Sequence, residues 1–313
     1  MGRRAAWALL KGRAIMTLAD TLSGTDESSA VRSLRFPSDH PVHGAALLLG
    51  TRRLFAGRFL LKRTLGKGGM GVVYLAEDTM AGTEVALKIF APRYRVSRDH
   101  IERAIRPEVI LARKVSHPHV CRVYDMGRAS SEVFLTMEYV NGRTLRQIID
   151  GGGVSARRTD RYLRHILEAL SAIHRAGVVH RDLKPSNVMV TRHNRVVVLD
   201  FGLASDARDD GHVGIPVGTI RYAAPEQLEG RRASVQSDIF SFGLIAEEML
   251  ALAYPQGIPA ALKDFLSKCQ SRDPKGRFPS ADAAHRALVR AESKRRMLSE
   301  IRRVFAALFT LSG

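Results

Sequence analysis

The chain is poor in cysteine: Cys121 and Cys269 are the only two in 313 residues, too few for a disulfide framework. With no export signal either, reduced thiols in a cytosolic protein are the expectation. Long apolar runs are also lacking. The longest candidates, Ala45 to Leu49 and Val304 to Leu308, fall far short of the ~18 residues that cross a bilayer. Lys11 and Arg13 follow closely on the apolar stretch Ala5 to Leu10 and break the pattern of a secretory leader. Acidic residues are scarce, with 31 Asp and Glu against 49 Lys and Arg, so the formal charge is +18 and arginine supplies most of it. Two readings of that charge stand: an acidic partner, or scattered arginines that solvate the surface. No long Lys/Arg block with interleaved aromatics is present, so no specific nucleic acid is expected.

What is there is ordinary for a soluble globular protein: 45% hydrophobic and 26% charged residues, with length enough for about two domains. Residues 1–57 are basic at first, then small, polar and acidic from Ser23 to Ala30, and are expected to hold little stable structure. Met16 offers a second possible start. From Arg58 onward, Phe59 to Leu65, Val72 to Ala76, Glu84 to Phe90, Val120 to Asp125 and Val133 to Glu138 read as strands. Ser97 to Val115 has helical period. Further helices are expected at Thr159 to Ala176, Ser237 to Ala253, Pro259 to Gln270 and Ala281 to Met297. The pattern is α+β with two lobes: a small one of five antiparallel strands and one helix, about 58–138, and a larger, mainly helical one, about 143–290.

Gly66-Lys67-Gly68-Gly69-Met70-Gly71 lies between two expected strands. A dinucleotide fold would need a helix after the glycines, so that reading fails; glycine still lets backbone amides approach phosphate oxygens. Val85-Ala86-Leu87-Lys88 follows on the third strand. His180-Arg181-Asp182-Leu183-Lys184-Pro185-Ser186-Asn187 comes next, then Asp200-Phe201-Gly202 and Ala224-Pro225-Glu226. Any one of these residues alone reads as a snorkelling lysine, a turn aspartate or a cap. Four motifs in this order and at these separations do not arise by chance, and together they resemble the eukaryotic-type protein kinase family from about Arg58 to Leu288. Gly68-Gly69-Met70-Gly71, Tyr222-Ala223-Ala224-Pro225-Glu226-Gln227 and Lys184 look most like its bacterial serine/threonine branch.

The resemblance implies a bilobal kinase fold, ATP and Mg²⁺ (Mn²⁺ as the alternative ion), and transfer of the γ-phosphoryl group to protein Ser/Thr hydroxyls. It assigns Lys88 to the α- and β-phosphates with Glu108 orienting it, and Asp200 and Asn187 to the metal. Asp182 accepts or orients the hydroxyl proton and Lys184 screens the migrating group. Leu65, Gly66, Gly68, Gly69 and Gly71 cover the nucleotide; Val73 and Ala86 roof the adenine and Met189 floors it. Met137 is the gatekeeper, and Glu138 and Val140 offer hinge backbone. Arg181, Phe201, Thr219, Glu226, Asp238 and Arg277 are structural or regulatory, with Glu226 expected to pair with Arg277.

Several features depart from the family. The segment Asp200 to Glu226 holds only Ser205, Thr219 and Tyr222 as hydroxyls, so activity without loop phosphorylation is expected, with Asp206, Asp209 and Asp210 supplying charge. Pro107 precedes Glu108, so a helix is expected to start or kink there, with Ser97 to Arg106 a separate piece. Little more than Ala251 to Gly257 stands where the family places a docking helix, so the large lobe is shortened before residue 259. Arg143 at the hinge exit points to substrates that are not basic. Residues 291–313 form a basic amphipathic stretch in which Leu298, Ile301, Phe305 and Leu308 recur at helical spacing. It can lie on anionic lipid, pack on the large lobe or pair with a second copy. Protein substrates are the implied partners, with the chain itself (autophosphorylation or a dimer) and a membrane surface as alternatives. The implied location is cytoplasmic or peripheral at the inner face of the membrane. A silent scaffold with the kinase fold, and a nucleic-acid or lipid binder that borrowed it, remain the competing functions.

Overall fold

The structure, a computed structural model, describes residues 54–68, 71–90, 98–129, 132–152, 154–201 and 220–310, with the side chains of 98–101, 104, 299 and 302–310 excepted. Residues 1–53 of the expected extension 1–57, together with Gly69, Ser205, Asp206, Asp209, Asp210 and Thr219, lie outside those residues, as do the side chains of Phe305 and Leu308.

The small lobe is a sheet of β1 (Leu54–Phe55), β2 (Phe59–Gly68), β3 (Gly71–Asp78), β4 (Thr83–Phe90), β5 (Val123–Ala129) and β6 (Glu132–Glu138). Their order is β1-β2-β3-β4-β6-β5, all neighbours antiparallel. Five of the six were expected. The short β1 adds an edge strand ahead of Arg58, because Phe55 and Phe59 both pack edge-on against Phe134, at 5.4 and 5.7 Å. Alternation along β4 divides its side chains between two cores. Val85, Leu87 and Ile89 join Leu61, Val72 and Tyr74 on the outer face; Ala86 and Phe90 face the rest of the molecule. Lys88, between Ala86 and Phe90 in that alternation, therefore lies on the inward side.

The helix α1 (Arg98–Ala112) runs through Pro107. It does not start there, nor are 98–106 a separate piece, which corrects that part of the expectation: Ile105, Val109 and Ala112 are buried on both sides of the proline, and that packing offsets the missing N–H.

In the large lobe β7 (Gly142–Thr144), β8 (Val188–Thr191) and β9 (Val196–Val198) form a three-stranded antiparallel sheet beside α2 (Leu145–Asp150) and α3 (Ala156–Arg175). Then come α4 (Pro225–Leu228), α5 (Val235–Ala253), α6 (Ala260–Cys269) and α7 (Ala281–Thr310). The apolar stripe of α3, Leu163, Ile166, Leu167, Leu170 and Ile173, is fully buried in one core with Ile239, Phe242, Ile245 and Met249 of α5. Each such side chain contributes roughly 1.5–3 kcal/mol. Residues 254–259 alone separate α5 from α6, so the expected shortening is present. The two helices approach closely at Gly243, where a Cβ would meet Cys269 Cβ at 2.7 Å. No break occurs near residue 291. α7 continues unbroken, and one of its basic residues turns inward: Arg295 reaches Asp160 of α3 at 2.7 Å and lies over the Tyr254 ring.

Candidate active site

The glycine loop is carried by the β2–β3 hairpin, with Lys67 opposite Val72 and Gly68 opposite Gly71. Gly71 has φ +145, and a Cβ there would sit 2.0 Å from the Ile89 carbonyl oxygen. Its glycine is thus demanded by β4 as well as by any phosphate. Behind the loop, Val73 pairs with Lys88 across β3–β4 and Ala86 with Met137 across β4–β6. Ala86 and Met137 are buried, while Leu65, Val73 and Met189 pack partly buried against the same core. Thr144 of β7 pairs with Met189 of β8, which sets Met189 in the large lobe. At the hinge the Glu138 N–H is already donated to the Arg122 carbonyl at 2.8 Å. A cleft thus forms between two sheets, lined by the residues named from sequence for adenine.

The segment 180–187 is fixed from beneath by Asp238, a buried residue in the first turn of α5. Its carboxylate accepts the His180 N–H at 2.8 Å and the Arg181 N–H at 2.9 Å, and contacts His174 Nε2 at 2.8 Å. Arg181 takes φ +66, a left-handed backbone that those two bonds hold in place. Lys184 Nζ then donates to Asp182 Oδ2 at 2.8 Å. Asn187 Nδ2 donates to the Asp182 carbonyl at 2.9 Å and to Oδ2 at 3.2 Å. Asp182 Oδ1 is left buried and without a hydrogen-bond partner. The Leu199 N–H donates to the Asn187 carbonyl at 2.8 Å, which brings Asp200 beside Asn187.

Lys88 and Glu108 do not form the pair expected of them. Lys88 Nζ donates to Asp200 Oδ1 at 2.9 Å, and Glu108 receives the guanidinium of Arg181. A buried lysine needs a carboxylate within reach, and Asp200, itself in a left-handed backbone at φ +53, supplies it. Burial opposes charge on Asp200, but the nearby Lys88 outweighs it and holds the carboxyl below its ordinary range. Phe201 is almost fully buried directly behind.

Glu226 and Arg277 meet as expected of them, through two parallel bonds at 2.7 and 2.9 Å, both side chains fully enclosed. Other supports were not singled out from sequence. Gln227 Nε2 donates to the Arg181 carbonyl at 2.9 Å, Ser237 Oγ to Glu226 at 2.7 Å, and His174 meets Asp238. Only Gln227 had a sequence signal, as the residue ending Tyr222 to Gln227; a lone serine or histidine on a helix carries none.

The donor set suits a hard divalent cation. Asp200 offers a carboxylate, and Asn187, its amide nitrogen spent on Asp182, keeps Oδ1 as an acceptor. Asp182 Oδ1 beside them is an acceptor without a partner among the described residues.

A family described as "Protein kinase domain" matches residues 59–258. Probable serine/threonine-protein kinase pknA2 of Bifidobacterium longum is 37% identical over 208 residues, 65% of this chain and 28% of that one. Serine/threonine-protein kinase PknD of Mycobacterium tuberculosis is 33% identical over 270 residues, covering 75% and 40%. Among solved structures, the PknI kinase domain of M. tuberculosis superposes with TM-score 0.61 at 27% identity, over 76% of this chain and 97% of that one. The chain therefore spans 28% of the length of one of these curated relatives and 40% of the other. From the matched residues, the shared two-lobed fold and the order of its motifs, the chain belongs to the protein kinase family, in its bacterial serine/threonine branch.

Proposed function

We propose that the chain is an active protein serine/threonine kinase that moves the γ-phosphoryl group of ATP to hydroxyls on protein substrates. The observation that carries this reading is the convergence of Lys88, Asp200, Asn187, Lys184 and Asp182 on one cleft between the lobes. Bound Mg²⁺, with Mn²⁺ as its substitute, neutralises charge on the phosphates, and Asp200 with Asn187 Oδ1 would hold it. Asp182 has its Oδ2 fixed by Lys184 and Asn187 and turns Oδ1 to the incoming hydroxyl. Lys184 sits where it screens the migrating group. Lys88 gives its ammonium to the phosphates, and Glu108 exchanges Arg181 for Lys88 to steady it. A scaffold would have no use for this set of groups held together, with Asp182 Oδ1 kept without a partner among the described residues.

Incubation with radiolabelled ATP, Mg²⁺ and a general protein acceptor is expected to label serine and threonine, with Asp182→Asn as the inactive control. Equal labelling by wild type and control sinks the reading. Activity should also survive phosphatase treatment, because the segment before Glu226 has so few hydroxyls.

Substrates are proposed to be acidic. A cavity of about 460 Å³ beside the hinge exit is lined by Arg143, Arg158 and Arg192, and none of these makes an ion pair among the described residues. Unneutralised guanidinium groups around a cleft favour carboxylates. A peptide array dominated by arginine-containing acceptors contradicts this. Peripheral attachment to anionic membrane through α7 has one structural support: Met297, Leu298 and Ile301 are exposed. No helix among the described residues is long and apolar enough to cross a membrane.

A further inference from the structure

We infer that the chain carries a second, transition-metal site, remote in sequence from the residues of the cleft, built by His119, His165 and Glu168 and suited to Zn²⁺. One ligand atom from each lies within 4.8 Å of the others. The residues come from two unconnected places. His119 belongs to the segment joining α1 to β5; His165 and Glu168 stand three apart on one face of α3. The segment is held down independently: the Cys121 N–H donates to the Val198 carbonyl and the Val198 N–H to the His119 carbonyl, each at 2.9 Å.

Three further observations point to a cation rather than to packing. First, His119 Nδ1 lies 2.8 Å from the Val196 carbonyl. A carbonyl can only accept, so the proton sits on Nδ1 and the lone pair on Nε2, which is the tautomer that ligates. That Nε2 lies 3.5 Å from Glu168 Oε2. Ligands at 2.0–2.1 Å in a tetrahedron stand about 3.3–3.4 Å apart, so this edge is nearly preformed. Second, His165 Nδ1 is buried with no hydrogen-bond partner among the described residues, and an orphaned buried ring nitrogen is otherwise a cost. Third, the carboxylate has an outer partner. His285 of α7 places Nε2 3.3 Å from Glu168 Oε1, close enough to pair yet out of line for a hydrogen bond. A small turn of the His285 ring would complete the outer hydrogen bond that orients a ligating carboxylate.

One adjustment is needed. The His119 and His165 rings are stacked, with centroids 3.9 Å apart and planes 16° from parallel. A metal lies near the plane of each imidazole it binds, so one ring must turn out of the stack. Two imidazoles and a carboxylate then leave a fourth position for water. A cation there ties the segment that follows α1, the helix that bears Glu108, to α3, beside His285 of α7.

The test uses the full chain, stripped with a chelator, reloaded by dialysis with Zn²⁺ alone and desalted. Elemental analysis is expected to find one equivalent retained, and Co²⁺ in its place to give the visible bands of a tetrahedral site. Glu168→Gln and His165→Asn should each lose the retained metal and the bands while unfolding at the wild-type temperature when metal-free. His285→Gln, which keeps all three ligands, should weaken binding about 10- to 100-fold. Should either ligand variant fail to fold, the His285→Gln shift and the Co²⁺ spectrum decide. Wild type that retains no metal overturns the proposal. So does retention unchanged in both ligand variants, or a Co²⁺ spectrum of octahedral type.

Discussion

At the scale of single residues, charge and burial decide more than position in the chain. Asp182 has one oxygen satisfied twice and the other satisfied by nothing among the described residues, an asymmetry fit for a group that takes part in proton transfer. Asp182→Asn is therefore expected to lower kcat about 10²- to 10⁴-fold while leaving nucleotide affinity near wild type. Parallel turnover and nucleotide-binding measurements check both halves; a matching loss of affinity would make Asp182 a binding group instead. Glu292, on α7, shows the opposite use of burial. Its side chain is enclosed, and Oε1 has no hydrogen-bond partner. Burial first and the nearby Asp160 second push its carboxyl up to about 7, and Arg164 and Arg296, 3.9 and 3.7 Å away, offset this only in part. Its folded pKa lies above its unfolded one, so the folded chain holds a proton that the unfolded chain has released. Its contribution to stability is then fully present below the ordinary carboxylate range and is lost as pH rises towards 7. Glu292→Gln, neutral throughout, should stabilise the protein by on the order of 2–3 kcal/mol at pH 8 and hardly at all at pH 4. Denaturant unfolding at both values checks this. Residues such as Asp182 and Lys88 were legible because motif order marks them. Glu292 was not, since a glutamate on a basic helix looks solvated until the packing of α7 on α3 is known.

At the scale of elements, what was legible was whatever spans enough residues to show a period. The five long strands of the small lobe and the helices α3, α5 and α6 emerge near their expected places. β7, β9 and α4, of three or four residues, and the two-residue β1 are too short to display one; each exists because a neighbouring strand or loop supplies its partner. Pro107 misled for a different reason. Local preference places a proline at a helix start, but the apolar face made by Ile105, Val109 and Ala112 continues across it, and burial overrode the local rule. The cost remains in the element, because Pro107 cannot donate to the carbonyl four residues back. Pro107→Ala should consequently stabilise the chain, by about 1–3 kcal/mol, as the missing bond forms. Equilibrium unfolding measures that gain. Kinetics measured on the same variant separate two roles: unchanged turnover makes the proline incidental, whereas altered KM for ATP ties the bend to the placing of Glu108.

At the scale of the whole molecule, the lobes meet through charges whose partners lie far apart in sequence, and here sequence reading reached least. That Lys88, Glu108, Arg181 and Asp200 matter could be inferred from their motifs; which of them pair depends on how α1 sits against the large lobe. The observed pairs, Lys88 with Asp200 and Arg181 with Glu108, each bridge the two lobes. The Glu226–Arg277 pair, implied by the family resemblance, forms within the large lobe and does not depend on how the lobes meet. It closes 51 residues of chain, and Arg277 also donates to the Ser271, Arg272 and Gln236 carbonyls. Burial opposes charge on Glu226, but the bonds from Arg277 and Ser237 outweigh it and hold the carboxyl below its ordinary value. Its contribution is thus fully present above the unfolded pKa of a glutamate, and is lost as pH falls through the lowered folded value. Arg277→Met removes the cation and leaves the carboxylate enclosed, which should cost about 3–5 kcal/mol near neutrality. In that variant burial outweighs the remaining bond from Ser237 and raises the pKa of Glu226, so acid protonates it early and relieves the penalty. The gap in unfolding free energy between wild type and Arg277→Met is accordingly expected to narrow as pH falls from 7 to 4. Urea titrations across that range measure it, and a gap that stays constant would mean the loss lies in the three carbonyl contacts rather than in the ion pair.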